Sequence, residues 1–362
     1  MDGNPNVSAA TIRATLASQR QAILARYAAE LGRLEDVLTQ CPSRIKVEDA
    51  VVERCDIYGK ALPEVLETIP PRHRNMPYRI LCRLMAARLK ATAEDRSNGY
   101  ADAASLLDDL QVIADSLRRN RGSNAGLFGI RRLTWRVRTF GFHLATLDLR
   151  QDALVHRRVV GQLLGDADWQ GASPTERTKR LRALLSAPME SAPHMDGECD
   201  SVLDVFTSVA EARRRYGDEA VGPYIISMAQ NADDVLSVLA LARHAGLTDT
   251  EGRVPLDVAP LFETLDDLEA GAEVLDRLLR DPVYRNHLRT RNDRQIVMIG
   301  YSDSNKDAGI AGARWALQNA ESSLANCADR HAVDLTLFHG RGGTISRGGG
   351  KTHVAVMAAP PG

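Results

Sequence analysis

The chain has 362 residues, enough for one large or two ordinary domains with an ample core. Its 46 basic and 47 acidic residues leave a net charge of −1, which excludes the broad positive field of a nucleic-acid-binding surface. No apolar run approaches the ~18 residues of a membrane-spanning helix and no signal-type apolar segment opens the chain, so the expectation is a cytoplasmic protein with neither nucleic acid nor membrane as partner.

The first seven residues, Met1 to Val7, read as a turn-rich polar lead-in. A long helix is predicted from about Ser8, because Ile12, Leu16, Ile23, Tyr27, Leu31, Leu34 and Leu38 recur at helical spacing before Pro42. Further helical patterns cover roughly 76–95, with Ile80, Leu81, Leu84, Met85 and Leu89, then 101–119 and 125–139. Residues 1–140 are therefore expected to be all-helical. Arg83, Arg88, Arg118 and Arg119 are expected on solvated helix faces.

The texture changes at Gly141. Residues 142–149 read as a strand that stops on Arg150-Gln151-Asp152, followed by a helix over about 153–164. The Ser/Pro-rich segment 165–200 carries one helical pattern near 176–185, and another helix is expected over 201–215. Further short apolar runs, 224–228, 257–262, 295–300 and 335–338, each end on polar residues. Apolar on both faces, they read as parallel strands covered by helices. Such a series suits a (β/α)8 barrel, and a doubly wound sheet also carries ligands at strand C-termini, so periodicity leaves both open. No G-x-G-x-x-G opens a helix after a first strand, which weakens a dinucleotide-binding version. Five strands do not close an eight-stranded barrel, so a barrel would be partial.

The densest signal follows the last strand: Phe338-His339-Gly340-Arg341-Gly342-Gly343-Thr344-Ile345-Ser346-Arg347-Gly348-Gly349-Gly350. Glycines let backbone N–H groups approach a ligand closely, successive amides form an anion nest, and arginines add planar forks for phosphate or carboxylate. An oxyanion site is expected at Arg341 and Arg347, in preference to a plain linker. Glu263 and Asp303 each finish a different strand. Two carboxylates with water and substrate completing the sphere suit Mg²⁺ or Mn²⁺, against the alternative of two solvated acids. Lys306 is a candidate to stabilise an oxyanion, and Arg150 is aimed at the same rim unless it pairs with Asp148 or Asp152. His143, placed inside a strand, reads as a satisfied core histidine, and His339 is ambiguous. No Ser-His-Asp or Cys-His set emerges, so covalent catalysis is not indicated. The five cysteines lack any CxxC, read as reduced thiols, and indicate no zinc site.

These residues resemble phosphoenolpyruvate carboxylases. The glycine-arginine stretch carries the likeness, and so do Leu147-Asp148-Leu149-Arg150-Gln151-Asp152, Ile226-Ser227-Met228-Ala229-Gln230, Pro260-Leu261-Phe262-Glu263-Thr264-Leu265, and Gly300-Tyr301-Ser302-Asp303-Ser304 with Lys306-Asp307. Asp2-Gly3-Asn4-Pro5 and Ala358-Ala359-Pro360-Pro361-Gly362 resemble stretches internal to the family. The resemblance implies a helix-rich α/β protein, with an all-helical region over 1–140 and a partial (β/α)8 TIM-type barrel over 141–362. It implies a homotetrameric lyase that joins phosphoenolpyruvate and bicarbonate into oxaloacetate and phosphate. Bicarbonate would attack the phosphoryl group, giving carboxyphosphate and an enolate that carbon dioxide then carboxylates. By the same resemblance Glu263 and Asp303 hold Mg²⁺ or Mn²⁺. Arg150, Arg341 and Arg347 bind substrate, and Lys306, Arg341 and Arg347 take part in catalysis.

The family's Thr-Ala-His-Pro-Thr-Glu motif, which carries its catalytic histidine, does not occur in these 362 residues. Ser346 stands where many members have glycine, Asn305 where many have a small residue, and Lys351 where proline is common. The expectation is an internal piece of the enzyme that is inactive alone. The alternatives are a non-catalytic remnant with a binding or structural role, or another phosphoenolpyruvate-utilising barrel.

Overall fold

The computed structural model describes residues 7–187, 197–300 and 302–339, with the backbone alone described at Ser302 and Asp303. Backbone packing divides the chain into two compact units. One comprises Arg13–Thr146 with Ala212–Ala220, and the described part of the other runs over 7–12, 147–187, 197–211, 221–300 and 302–339.

The first unit is helical. Its elements are α1 (Ala9–Val37, entering from the other unit), α2 (Asp49–Ala61), α3 (Pro63–Glu67), α4 (Pro77–Ala93), α5 (Ala103–Arg119) and α6 (Leu127–Phe140). The apolar stripe read from α1 is buried throughout, and Tyr27, Leu31, Leu34 and Leu38 join one core with Leu81, Leu84, Met85 and Leu89 of α4. Pro77 starts α4 where a missing N–H costs nothing. Asp102 caps α5 by accepting from Ser105 N at 2.8 Å. Among the described residues α2 and α3 were not singled out by the periodicity.

Inside this core sits a carboxylate, Asp109, with no exposed surface. The Tyr58 hydroxyl donates to it at 2.8 Å, that of Tyr100 at 2.7 Å and Arg54 Nη1 at 3.0 Å. Burial pushes its carboxyl upward, and the tyrosine hydrogen bonds and nearby guanidiniums act against that. The Arg88 guanidinium lies between the two tyrosine rings, 4.1 and 4.0 Å from their centroids. Arg88 is therefore not on a solvated face, whereas Arg118 and Arg119 are, and Arg83 pairs with Glu35 at 2.5 Å.

The second unit is α/β. Its chain order is β1 (Leu147–Asp152), α7 (Ala153–Leu163), α8 (Pro174–Ser186), α9 (Glu198–Tyr216, ending in the helical unit), β2 (Val221–Ser227), α10 (Ala232–His244), β3 (Val258–Phe262), α11 (Leu265–Arg280), α12 (Pro282–Thr290), β4 (Arg294–Ile299), α13 (Ser302–Arg330) and β5 (Asp334–His339). The strands form one five-stranded sheet in the order β1-β2-β3-β4-β5, with every neighbouring pair parallel. Strand order follows chain order without reversal among the described strands, and they form no closed barrel. β3 is buried at all five positions, as a strand covered on both faces must be.

The expected strand over 142–149 is displaced. Residues 142–145 form turns and bends at the end of the helical unit, with Phe142 and His143 buried there, and Leu144 has φ 68°. A non-glycine residue in the left-handed region does not continue a strand. The strand instead runs through Arg150, Gln151 and Asp152, which pair with Ile225, Ile226 and Ser227. His143 is buried, as expected, and burial lowers its basicity, but it lies in a turn.

Behind the sheet, His156 of α7 is fully buried, with Nε2 2.9 Å from the Tyr224 hydroxyl of β2, whose ring stacks on Phe206. Burial drives the His156 imidazole down to about 3, and His287 of α12 down to about 4. Both stay neutral in the folded chain, while the unfolded chain gains protons as pH falls below ~6.5. Stability is therefore expected to fall as pH drops below about 6.5, with a slope that approaches about 1.4 kcal/mol per pH unit for each histidine and persists to about pH 4 for His287 and about pH 3 for His156. Urea unfolding across this range checks it: His156→Gln removes one proton from the slope, and an unchanged acid limb would contradict the assignment.

Candidate functional site

The candidate site is built at the C-terminal edge of the sheet. Arg150 lies on β1, and Glu263 follows the last residue of β3. A single guanidinium nitrogen of Arg150 bridges both Glu263 carboxylate oxygens, at 3.1 and 3.0 Å. The pair reaches across the end of β2, since β1 and β3 flank that strand. Glu263 is 14% exposed and Arg150 36%, so the carboxylate is largely withdrawn from water and compensated by a partly solvated cation.

Local backbone chemistry sets the direction of Glu263. Asp267 Oδ2 accepts from Glu263 N at 3.4 Å and Thr264 N at 3.1 Å, while Thr264 Oγ1 accepts from Asp267 N at 3.1 Å. This reciprocal capping box starts α11 immediately after the carboxylate. The same device follows β2, where Asp234 Oδ2 accepts from Gln230 N at 2.9 Å and Asn231 N at 3.2 Å. Asp234 also receives Arg157 of α7 in a two-point pair at 2.8 and 2.9 Å, and beside it Asp233 receives Arg177 of α8 at 2.5 Å. These aspartates have no exposed surface, so their guanidinium partners are a condition of their burial. Thr-x-x-Asp and Asn-x-x-Asp are the sequence signals that identify both caps.

β4 closes on the site from the other side. Gly300 N donates to Phe262 O at 2.8 Å, and Ser304 N donates to Glu263 O at 3.1 Å. A Cβ at Gly300 would lie 2.9 Å from Glu263 Cγ and 3.0 Å from its Cα. Glycine is required here by closeness of approach. The backbone of the residue after Asp303 is thus hydrogen-bonded to the backbone of Glu263.

Lys306 follows on the exposed first segment of α13, which is broken at Gly309 (φ 67°, ψ 176°). The structure therefore brings Arg150 and Glu263 into contact and places the Asp303 backbone and Lys306 on the adjoining segment. Arg150 pairs with Glu263 in place of Asp148 or Asp152, and Asp152 instead caps α7 through Leu154 N at 2.7 Å. The side chain of Asp303, and Arg341 and Arg347 with their glycine loop, lie outside the described residues. His339 ends β5 with Nε2 3.2 Å from Glu321 Oε1 of α13. A carboxylate and cations of this kind at the strand ends can hold a hard cation and an anion side by side.

This is the layout of an α/β protein that carries its polar groups at the C-terminal edge of a parallel sheet. A sequence model of the family described as phosphoenolpyruvate carboxylase matches residues 1–362. Relatives named phosphoenolpyruvate carboxylase include that of Xanthomonas campestris pv. campestris (strain 8004), 52% identical over 363 residues. Those of Azorhizobium caulinodans and Mycobacterium avium (strain 104) are 37% and 36% identical over 383 and 390 residues. In each comparison all of this chain is matched, and it spans 40% of the relative's length. The chain belongs to the phosphoenolpyruvate carboxylase family.

The contact at Gly300 gives a direct test of the geometry. Gly300→Ala is expected to destabilise the fold by about 1–3 kcal/mol, the usual cost of forcing a methyl group into a packed position. Thermal or urea unfolding measures it, and a neutral effect would show that β4 does not press on Glu263 as described.

Proposed function

We propose that this chain supplies the metal- and anion-binding strand ends of an enzyme that carboxylates phosphoenolpyruvate with bicarbonate, releasing phosphate and forming oxaloacetate. The observation that carries the reading is the Arg150–Glu263 pair at the C-terminal edge of the parallel sheet. We infer further that the five strands are an arc of a (β/α)8 barrel. Parallel strands in chain order, with polar groups gathered at their C-terminal ends, support it. On this reading the intact enzyme is a cytoplasmic homotetramer.

The residues fit a divalent metal of the hard kind. Glu263 offers carboxylate oxygens in a largely buried place, and its backbone is tied to the segment that starts with Asp303. Glu263 and Asp303 would hold Mg²⁺ or Mn²⁺, which when bound supplies Lewis-acid stabilisation of negative charge on substrate oxygens. Arg150 has a double part. Without the cation its guanidinium compensates Glu263; with the carboxylate claimed, the same fork would turn to the carboxylate or phosphate of the substrate. Lys306 adds a point charge on the adjoining segment. By the family resemblance Arg341 and Arg347 would act on the transferring phosphoryl group, where charge grows most in the transition state.

The competition between Arg150 and the metal gives effects of opposite sign. Glu263→Gln and Asp303→Asn are each expected to weaken Mn²⁺ binding by more than about tenfold, as loss of a ligand should at least match loss of a supporting group. Arg150→Ala is expected to tighten Mn²⁺ binding while weakening phosphoenolpyruvate binding. Electron paramagnetic resonance of free Mn²⁺ reads the first quantity and calorimetry the second. In the intact enzyme the carboxylate variants should also lose oxaloacetate formation. Unchanged Mn²⁺ binding in both carboxylate variants would refute the proposal.

A further inference from the structure

A second cluster lies at the other end of the sheet, in the α/β unit alone. α13 starts at the C-terminal end of β4 and runs back, so its last turn lies near the N-terminal ends of β4 and β5. There Cys327 of α13 and His331, one turn further on, face Asp276 of α11. One ligand atom from each of the three lies within 4.8 Å of the others. Cys327 has no exposed surface, and the side chains of Asp276 and His331 are each 19% exposed.

We infer that Asp276, Cys327 and His331 form a binding site for a thiolate-accepting dication, Zn²⁺ before others, which clips α11 to α13. The donor set decides the class of metal. One sulfur, one imidazole nitrogen and one carboxylate oxygen suit Zn²⁺, whereas Mg²⁺ and Mn²⁺ take oxygen shells. Three protein ligands leave the fourth position of a tetrahedron to water. With metal–ligand bonds of about 2.0–2.3 Å, the edges of that tetrahedron are roughly 3.3–3.8 Å, which small side-chain shifts reach from the observed separations.

The surroundings suit the role. Asp276 Oδ2 forms an ion pair with Arg280 Nε at 3.0 Å, and that pair draws one carboxylate oxygen outward while leaving Oδ1 to the cluster. Oδ1 is 2.9 Å from His331 Nε2 and 3.8 Å from an Arg330 nitrogen. Arg330 is 67% exposed and free to swing into solvent as the cation enters. Binding breaks the His331–Asp276 hydrogen bond and leaves the imidazole proton on the ring nitrogen away from the metal; a metal–sulfur bond forms and the Cys327 S–H proton leaves to solvent. Burial pushes this thiol up, with Arg330 acting against it, so without a metal it stays protonated. Cysteine spacing along the chain carries no sign of the site, because the ligands come from two helices that meet only in the fold.

Co²⁺ added to the purified chain tests the inference, because a Co²⁺–thiolate bond gives a near-ultraviolet charge-transfer band that an oxygen-only site cannot produce. Wild type is expected to show the band, and Glu263→Gln to keep it. Cys327→Ser should abolish it, although Cys41, Cys55, Cys82 and Cys199 remain. His331→Asn should keep the fold by circular dichroism and weaken Zn²⁺ competition for Co²⁺ at least tenfold. Absence of the band in wild type at saturating Co²⁺, or its survival in Cys327→Ser, overturns the proposal.

Discussion

The α/β unit is arranged around a constraint that one ion pair makes visible. Arg150 and Glu263 meet only if β1 and β3 run parallel, lie on either side of β2 and end at the same edge. A register slip of one residue in β1 would turn Arg150 to the opposite face of the sheet and leave Glu263 withdrawn from water without its cation. The sequence therefore binds strand order, register and charge placement into a single requirement. Gly300 enforces the same requirement from β4, because only a residue without Cβ lets that strand end so close to Glu263.

The supporting charges are organised differently. Asp234 and Asp267 occupy corresponding places after β2 and β3, each accepting from two backbone N–H groups at the turn into a helix. Asp234 also receives Arg157, and so joins α7 to α10 while it holds the turn. Buried pairs of this sort add little net stability over apolar residues of the same volume. What they supply is position, since a carboxylate that accepts from a turn and a guanidinium together has one geometry that satisfies both. In the helical unit Asp109 works in the same way, gathering Arg54 and Tyr58 of α2 and Tyr100 ahead of α5.

Much of this was legible in the sequence, and the failures have physical causes. The stripe of α1 and the apolar runs of β2 to β5 were read because burial on a helix or in a covered sheet imposes a period or a run. Residues 142–146 misled because an apolar run marks burial without saying in what conformation. Phe142 is buried in a turn, and the strand begins only after Leu144 has turned left-handed. Polarity likewise marked Arg150 as the end of β1, although pairing with β2 carries the strand through Asp152. Arg88 was read as a surface charge because its two tyrosines are brought to it by tertiary packing. At the strand ends, residue types pointed to Arg150 and Glu263, but their direct contact is a matter of register that composition does not carry.

Gly300 and Gly309 lie close in the chain but are glycine for different reasons. The first is hemmed in by Glu263, whereas nothing lies within 4 Å of where a Cβ would stand on the second. Its constraint is one of handedness: φ 67° with ψ 176° is strained for L-residues and becomes an ordinary extended conformation on reflection. An L-alanine at 309 would meet no neighbour but would take on a strained backbone, whereas at 300 it would collide with Glu263. The two glycines beside the candidate site thus protect different things, one the space around a carboxylate and the other the chirality of the bend that carries Lys306.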